Sequence, residues 1–363
     1  MSTDLATGSR RARPRWYRFL APLLSVALIA AVFTWFLPQF TSLAQVWDAV
    51  AGMTWLEKSV LGLAAVWNLV TYQFVVVATT PGMTMRQATV ATEAATAVSN
   101  TVLGGAALSV GLTYAMNSSW GFSRSRTSVA LLVAGLWNNF AKLGLPVLAL
   151  ALLAFSSPPS TARLVAGLAG LAGLGAAVAV LGTVLRSPAT AAQVGRAAAL
   201  VATGVRRAFR RGPVSGWDRA TTKFRDRTVM LLRARWHWIT LATLVSHLSL
   251  FLVLLLSLRF VGVDGDQVSL AEALAVFAFA RLLTAVPFTP GGLGVVELAL
   301  ITGLAAAGGP RALVAAAVLV FRALSYVLPI PLGLGTYLFW RHNRSWRREP
   351  NTAPRTVLVP ETV

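Results

Sequence analysis

The sequence has little charge and no cysteine, and each absence excludes a class of protein. Only 12% of its 363 residues are charged, whereas 56% are hydrophobic. A soluble domain is about 25% charged, so a soluble chain of this length would lack the charge to cover its surface. Without cysteine the chain has no disulfide framework, thiolate metal site or thiol nucleophile. We therefore predict an integral membrane protein.

Histidine and acidic residues are also scarce. The three histidines, His237, His247 and His342, are too scattered for a histidine-based metal site, and we expect no cofactor. His247 stands alone in an apolar stretch and is predicted to be a core histidine with its hydrogen bonds satisfied. Asp and Glu number 12 against 32 Lys and Arg. In a membrane protein this excess first indicates topology, so no nucleic-acid partner is expected.

Several apolar segments are long enough to cross a bilayer core of about 30 Å. The first has a basic flank like that of a signal peptide, but it is too long and lacks a small-x-small cleavage site, so we expect a retained anchor. Two further segments, 88–117 and 270–307, are apolar but interrupted by Gly and Pro. The six predicted full spans are 17–37, 55–78, 128–155, 161–185, 236–258 and 311–340.

Most of the basic residues lie in three regions, the arm 1–16 with its flank, the loop 186–235 and the tail 341–363. The positive-inside rule places all three, and hence both termini, on the cytoplasmic side of a bacterial cell membrane. The number of full spans between successive basic regions is then even. Each interrupted segment must therefore return to its own side, as a re-entrant hairpin or as a pair of crossings. The loop is compatible with an amphipathic segment on an anionic membrane surface, and the tail is predicted to be disordered.

The two interrupted segments have similar surroundings. Each follows one span and precedes another that carries a base and then a proline, Lys142 with Pro146 and Arg322 with Pro329. Their orientations are opposite, which predicts an inverted repeat within a transmembrane domain 17–340, an arrangement typical of transporters. The alternative is chance self-similarity in an Ala- and Leu-rich chain. The fold class predicted is thus all-α and polytopic. Each segment also has an early glutamate and a glycine pair: Glu93 with Gly104 and Gly105, and Glu272 with Gly291 and Gly292.

The most specific motif is the run from Pro287 to Glu297, PFTPGGLGVVE. Its Pro290-Gly291-Gly292 sequence must break a helix, because proline disfavours helix in the residue before it and glycine permits positive φ. A helix that restarts near Leu293 would direct free N–H groups at the break, and such a site suits a phosphate. The alternative role of these glycines is tight helix–helix packing.

Here the sequence resembles the membrane domain of the lysylphosphatidylglycerol synthase/flippase family, whose late Pro-Gly-Gly-x-Gly-x-x-Glu turn matches Pro290, Gly291, Gly292, Gly294 and Glu297. The resemblance covers 17–340, with weaker support from a helix that carries Arg322 and Tyr326. It implies movement of phospholipids or aminoacylated phospholipids between leaflets. Two features depart from the family. We expect no soluble aminoacyl-transferase domain, and residues 117–124 replace an expected Glu-Arg…Asp pattern, so synthase activity is not expected.

Charged side chains within the apolar segments are the candidates for chemistry, because each costs about 2.5–3.5 kcal/mol at a span centre unless it pairs or lines a cavity. We predict pairing of Glu297 with Arg281 or Arg322, and of Glu93 with Lys142. The alternative to lipid binding is that such pairs only lock the hairpins. Glu272 is predicted to form a capping box with Ser269. Interhelical hydrogen bonds are expected from the polar residues Asn68, Gln73, Asn100, Asn138 and Asn139.

These observations predict a transporter, not an enzyme, that moves a phosphate-bearing lipid (a phospholipid, aminoacyl-phospholipid or glycolipid) between leaflets. Anionic phospholipid is the expected partner. The alternatives are a membrane enzyme acting on a lipid-linked substrate, with Glu297 as its base, and an accessory partner of a lipid-modifying enzyme. The predicted lipid- and phosphate-binding residues are Pro290, Gly291, Gly292, Gly294, Glu297, Arg281, Arg322, Tyr326, Gly104, Gly105, Lys142 and Glu93.

Overall fold

The computed structural model describes residues 43–102, 104–156, 161–208, 217–284 and 292–348, and within these ranges every regular element is helical. The predicted arm 1–16 and the span 17–37 lie outside the described residues. The helices are α1 Leu43–Gly52, α2 Trp55–Thr79, α3 Met85–Thr101, α4 Gly105–Ser119, α5 Arg124–Ser156, α6 Thr161–Arg186, α7 Pro188–Ala208, α8 Trp217–Val261, α9 Leu270–Leu283, α10 Val295–Ala306, α11 Arg311–Arg322 and α12 Pro329–His342.

Five parts of this bundle are long and apolar enough to cross a membrane. They lie in α2, α5, α6, α8 and the α11–α12 pair, and each overlaps one of the predicted spans. Many of their leucine, valine and tryptophan side chains are exposed on the bundle surface, as expected where a helix faces lipid rather than water. The chain is therefore a multi-pass membrane protein.

The described parts of the basic region 186–235 are almost entirely helical. Residues 188–208 form α7, and the basic residues from 217 onward continue without a break into the apolar part of α8. α7 packs along α8. The guanidinium of Arg225 donates to the carbonyl oxygens of Leu185 (2.9 Å) and Arg186 (3.0 Å), which satisfies the C-terminal end of α6. Alanine and arginine both favour helix, so positive charge here indicated topology and not secondary structure.

The first part of the tail, residues 341–348, packs against the bundle. Arg341 and His342 complete α12. Trp346 then packs edge-on against Trp120, with ring centroids 6.1 Å apart, and the Arg348 N–H donates to the Ser119 carbonyl at 3.0 Å. These contacts hold the tail against the end of α4. Residues 349–363 lie outside the described residues.

Both interrupted segments form pairs of short helices. α3 and α4 have 17 and 15 residues, and α9 and α10 have 14 and 12. At 1.5 Å per residue these helices extend about 18–25 Å, less than the roughly 30 Å of a bilayer core. We call α2–α5 the first unit and α8–α12 the second unit.

The two units are joined by reciprocal packing. α2 packs against α8, and each is the first helix of its unit. The first arm of each hairpin packs against the last helix of the other unit, α3 against α12 and α9 against α5. The contact of α3 with α12 is close, because a Cβ built on Gly333 would lie 2.1 Å from the Glu93 carbonyl oxygen. Only glycine fits at this crossing.

Three of the predicted interhelical hydrogen bonds are formed at these contacts. Asn68 of α2 donates to the Ser249 hydroxyl of α8 at 2.9 Å. Gln73 of α2 donates to Glu93 of α3, and Asn100 of α3 donates to the carbonyl of Tyr326. Asn139 instead donates within its own helix, to the Gly135 carbonyl.

Candidate functional site

The described part of the broken-helix motif begins at Gly292, so the predicted site residues Pro290 and Gly291 lie outside it. Gly292 and Gly294 have φ of 73° and 83°, values that favour glycine. A Cβ on Gly292 would also lie 2.8 Å from the Val296 side chain. α10 begins directly after Gly294, which agrees with a helix that restarts after the motif.

Glu297 occupies the start of this helix with its own carboxylate. Its Oε2 accepts a hydrogen bond from the Gly294 N–H at 2.7 Å, and its Oε1 accepts one from the Arg322 Nε at 2.6 Å. The carboxylate is almost completely buried, with a side-chain exposure of 2%. Of the two predicted partners, the structure selects Arg322. The Gly294 donor is thus taken by a residue of the chain and is not available for a phosphate.

Arg322 and Tyr326 connect this ion pair to the first hairpin. The Arg322 Cζ lies 4.6 Å from the centroid of the Tyr326 ring, a cation–π contact. The Tyr326 hydroxyl donates to the Asn100 carbonyl at 2.5 Å, while the Asn100 side chain donates to the Tyr326 carbonyl at 3.1 Å. This reciprocal pair fixes the end of α3 against the segment that follows α11. Residues of both units therefore meet at one place.

The segment after α11 is a short π-helix, Ala323–Val327, in which the Leu328 N–H donates to the Ala323 carbonyl five residues earlier. Pro329 follows it. The proline ring cannot continue an α-helical hydrogen-bond ladder, which explains a widened turn at this position. Such segments often occur at functional sites.

Glu93 has a different environment from that predicted. Its Oε1 accepts a hydrogen bond from the Gln73 Nε2 at 2.9 Å. Its Oε2 is buried without a hydrogen-bond partner in the part of the chain that the structure describes. Lys142 forms no ion pair with it, since the ion pairs within the described ranges are Glu297–Arg322 and the surface pair Arg225–Asp226. The packing of α2 on α3 places Gln73 at the position where Lys142 was predicted.

A cavity of about 240 Å³ lies between the two units, and we call it the central cavity. Glu93, His247 and Arg281 all line it, and each has a buried side-chain atom without a hydrogen-bond partner among the described residues: Oε2, Nε2 and Nε. The remaining polar lining consists of Asn68, Tyr72, Thr92, Thr96, Asn138, Ser246 and Ser325. A polar cavity with unsatisfied groups suits a polar ligand or ordered water.

His247 differs from its prediction in this cavity. Its Nδ1 lies 3.0 Å from the Thr243 carbonyl oxygen, so one ring nitrogen is satisfied. The Nε2 has no partner in the described residues, and the ring lines the central cavity. A single histidine in an apolar helix does not reveal a cavity from the sequence.

Positive charge predominates around the central cavity. Arg281 lines it directly, and both Lys142 and Arg322 lie near enough to interact electrostatically with Arg281. Lys142 and Arg322 are themselves buried. The two nearby carboxylates are held by Arg322 and by Gln73. Arginine presents a rigid set of donors that matches phosphate oxygens, so the cavity has the chemistry to hold a phosphate group.

The remaining predicted residues, Gly104 and Gly105, form the turn of the first hairpin. Gly104 has φ of 74°, and a Cβ on Gly105 would lie 2.3 Å from the Val98 carbonyl oxygen. Neither residue lines the central cavity. Their evident role is to let α3 and α4 approach each other closely, the packing alternative considered for the glycines of the other hairpin.

The model of the lysylphosphatidylglycerol synthase TM region matches residues 23–333, nearly the whole chain. The chain belongs to this family. The match includes both hairpins and every residue that lines the central cavity, and the family indicates a membrane protein that acts on lipids. A search among curated proteins finds no match.

Proposed function

We propose that this family member is a transporter that moves a phosphate-bearing lipid, such as a phospholipid, aminoacyl-phospholipid or glycolipid, between leaflets. The observation that carries the proposal is Arg281, a cation that lines the central cavity and whose buried Nε has no hydrogen-bond partner among the described residues. A lipid phosphate would supply the missing acceptor. Lys142 and Arg322 would add favourable potential, because charge interactions are stronger in a site of low dielectric constant.

The short hairpin helices and the reciprocal packing support the mechanistic part of the proposal. In it, the hairpins are re-entrant, the two units form an inverted repeat, and the headgroup binds where the units meet. Transporters with inverted repeats bind substrate near the membrane midplane at the repeat interface. α3 and α9 hold the same place in their units, and so do α5 and α12. The contact of α3 with α12 is therefore the counterpart of the contact of α9 with α5, as expected for a repeat.

The partners of Glu297 favour transport over the enzyme alternative. A general base needs a carboxylate oxygen that can reach the substrate proton. Both oxygens of Glu297 already accept hydrogen bonds, from Gly294 and from Arg322, and the group is buried. We therefore assign Glu297 to holding Arg322 and the helix start in place, with no catalytic role.

The proposed orientation follows the basic residues. Arg227, Arg233 and Arg235 lie on α8 just before the tryptophans at 236 and 238, and the ordered tail carries Arg344, Arg347 and Arg348. We propose that these ends of α8 and α12 face the cytoplasm of a bacterial cell, with both termini on that side.

The test is leaflet exchange of labelled lipids in proteoliposomes that contain the full chain. Wild-type protein should accelerate exchange of anionic lipids over empty vesicles, and Arg281→Gln should lower the rate at least tenfold. Arg86→Gln is the matched control, because it removes one exposed arginine outside the cavity. We expect it to retain the wild-type rate.

Two results would overturn the proposal. One is exchange no faster than in empty vesicles across several anionic and glycosylated lipids. The other is chemical conversion of the lipid, detected by mass spectrometry of the same vesicles, which would favour the enzyme alternative. An accessory role would be indicated if exchange required a co-purified lipid-modifying enzyme.

A further inference from the structure

A second cavity, of about 590 Å³, lies at the basic end of the bundle, and we call it the basic cavity. It is bounded by the end of α2 and the turn after it, the start of α5, and the basic half of α8. Three arginines surround it, Arg126 of α5 with Arg227 and Arg235 of α8. Its apolar lining includes Val129, Met230 and Leu231.

No carboxylate lines the basic cavity in the described residues. The nearest acidic residue along α8, Asp226, pairs with Arg225 at 2.7 Å, and Arg225 also holds the end of α6. Arg227 donates a hydrogen bond to the Ser125 hydroxyl, which links α8 to α5. Arg126 lies beside the Phe122 ring, with its Cζ 5.9 Å from the ring centroid. The three guanidinium groups therefore create a concave site that is positively charged throughout.

The position of the basic cavity along α8 is that of a membrane interface. Arg235 immediately precedes Trp236, and Trp236 and Trp238 are 57% and 59% exposed. Exposed tryptophans typically anchor a helix at the level of the lipid headgroups. Beyond them α8 continues as an apolar helix to Val261. Met230, 65% exposed, offers an apolar surface beside the arginines. A ligand here would need both an anionic group and an apolar part.

We propose that the basic cavity binds the phosphate headgroup of an anionic phospholipid, at a site separate from the central cavity. Basic pockets between transmembrane helices at the cytoplasmic side recognise anionic lipid headgroups. In this site Arg227 and Arg235 contact the phosphate from the second unit and Arg126 contacts it from the first. The bound lipid thus joins the two units at one end of the bundle. The assignment does not depend on transport.

The test measures lipid binding to the purified full chain in zwitterionic detergent, by native mass spectrometry and by thermal stabilisation. The cavity variant is Arg126→Gln/Arg227→Gln/Arg235→Gln. The control variant is Arg124→Gln/Lys223→Gln/Arg233→Gln, which removes the same charge from the same two helices at exposed positions outside the cavity. We expect phosphatidylglycerol to bind the wild type and the control variant at least tenfold more tightly than the cavity variant.

A photoreactive phosphatidylglycerol supplies a local measurement. It should label the peptide that contains Met230 in the wild type and lose that label in the cavity variant. If the triple variant does not fold, Arg235→Gln is compared with Arg233→Gln, since Arg235 makes no hydrogen bond or ion pair within the described ranges.

Three outcomes would overturn the proposal. Equal binding to the cavity and control variants would indicate general attraction to positive charge. Equal binding of phosphatidylcholine would remove the role of the anionic group. Displacement of the lipid by inorganic phosphate or glycerol 3-phosphate at equal concentration would assign the site to a soluble anion.

Discussion

The two hairpins each carry a buried glutamate beside the interface between the units, and the two carboxylates have different partners. In the second hairpin, Glu297 accepts hydrogen bonds on both oxygens and pairs with Arg322. In the first, Glu93 lines the central cavity and accepts one hydrogen bond from Gln73, and its other oxygen is buried without a partner among the described residues. A fully paired buried charge is locked in place, whereas a half-satisfied one can respond to a ligand. The second hairpin therefore carries a glutamate with both oxygens paired, and the first carries a glutamate with one oxygen unpaired among the described residues.

Removal of Arg322 should produce the largest effect. Arg322→Ala leaves the buried Glu297 carboxylate without its cation, which typically costs about 3–5 kcal/mol. We expect a large fall in the thermal unfolding temperature of the purified protein in detergent. The double variant Glu297→Leu/Arg322→Leu should recover much of that loss, because no unpaired charge remains. Equal stability of Arg322→Ala and the wild type would contradict a stabilising role of the Glu297–Arg322 pair in the second hairpin.

The turn of the first hairpin should be the next most sensitive position. Gly105→Ala places a Cβ 2.3 Å from a backbone oxygen that cannot rotate away, and we expect a loss of about 1–3 kcal/mol. Gly111→Ala on the same helix is the control, because its Cβ would meet no atom within 4 Å. That variant should be neutral or slightly stabilising, since alanine favours helix over glycine by about 1 kcal/mol. Similar unfolding temperatures for both variants would argue against tight α3–α4 packing.

The hairpins should respond alike at their starts. α3 and α9 both begin with a capping box, Thr84 with Gln87 and Ser269 with Glu272. Thr84→Ala and Ser269→Ala should each cost about 1 kcal/mol, as expected for loss of an N-cap. Hydrogen exchange of the first turn of each helix measures the effect locally. A change at one helix alone would show that the resemblance between the two hairpins does not extend to their starts.

The smallest change is expected for Glu93. Glu93→Gln keeps an oxygen that accepts from Gln73 and breaks no ion pair, so we expect less than about 1 kcal/mol. Glu297→Gln should cost more, because it leaves Arg322 without its anionic partner. The two variants are compared by thermal unfolding under the same conditions. A larger loss of stability for Glu93→Gln than for Glu297→Gln would contradict the assignment of the fully paired carboxylate to the second hairpin.

Local rules predicted the parts of the fold that depend on neighbouring residues. Five described spans followed from the length of their apolar runs, and the Ser269–Glu272 capping box followed from its spacing. The pairing of Glu297 with an arginine was also foreseen, but the choice of Arg322 over Arg281 depends on how α11 packs against α10. Long-range packing is what a single sequence does not specify.

Where packing decided the partner, the sequence prediction failed. Lys142 was the predicted partner of Glu93, yet Gln73 of α2 donates to this carboxylate. The basic cavity was also missed, although a signal was present. Arg227, Leu231 and Arg235 are spaced four apart and so share one face of α8. Because the region 186–235 is treated as a connecting loop, the helical spacing of these residues does not enter the sequence prediction.

The π-helical segment determines which neighbours the final helices can reach. In an uninterrupted α-helix, residues eleven apart such as Arg322 and Gly333 would face within about 20° of each other. The wider turn at Ala323–Val327 offsets α12 about its own axis from α11. One continuous membrane crossing can therefore direct its arginine to α10 and its glycine to α3. Deleting one residue from this segment would restore the α-helical phase. Either Arg322 would then turn away from α10, or Gly333 would turn away from α3.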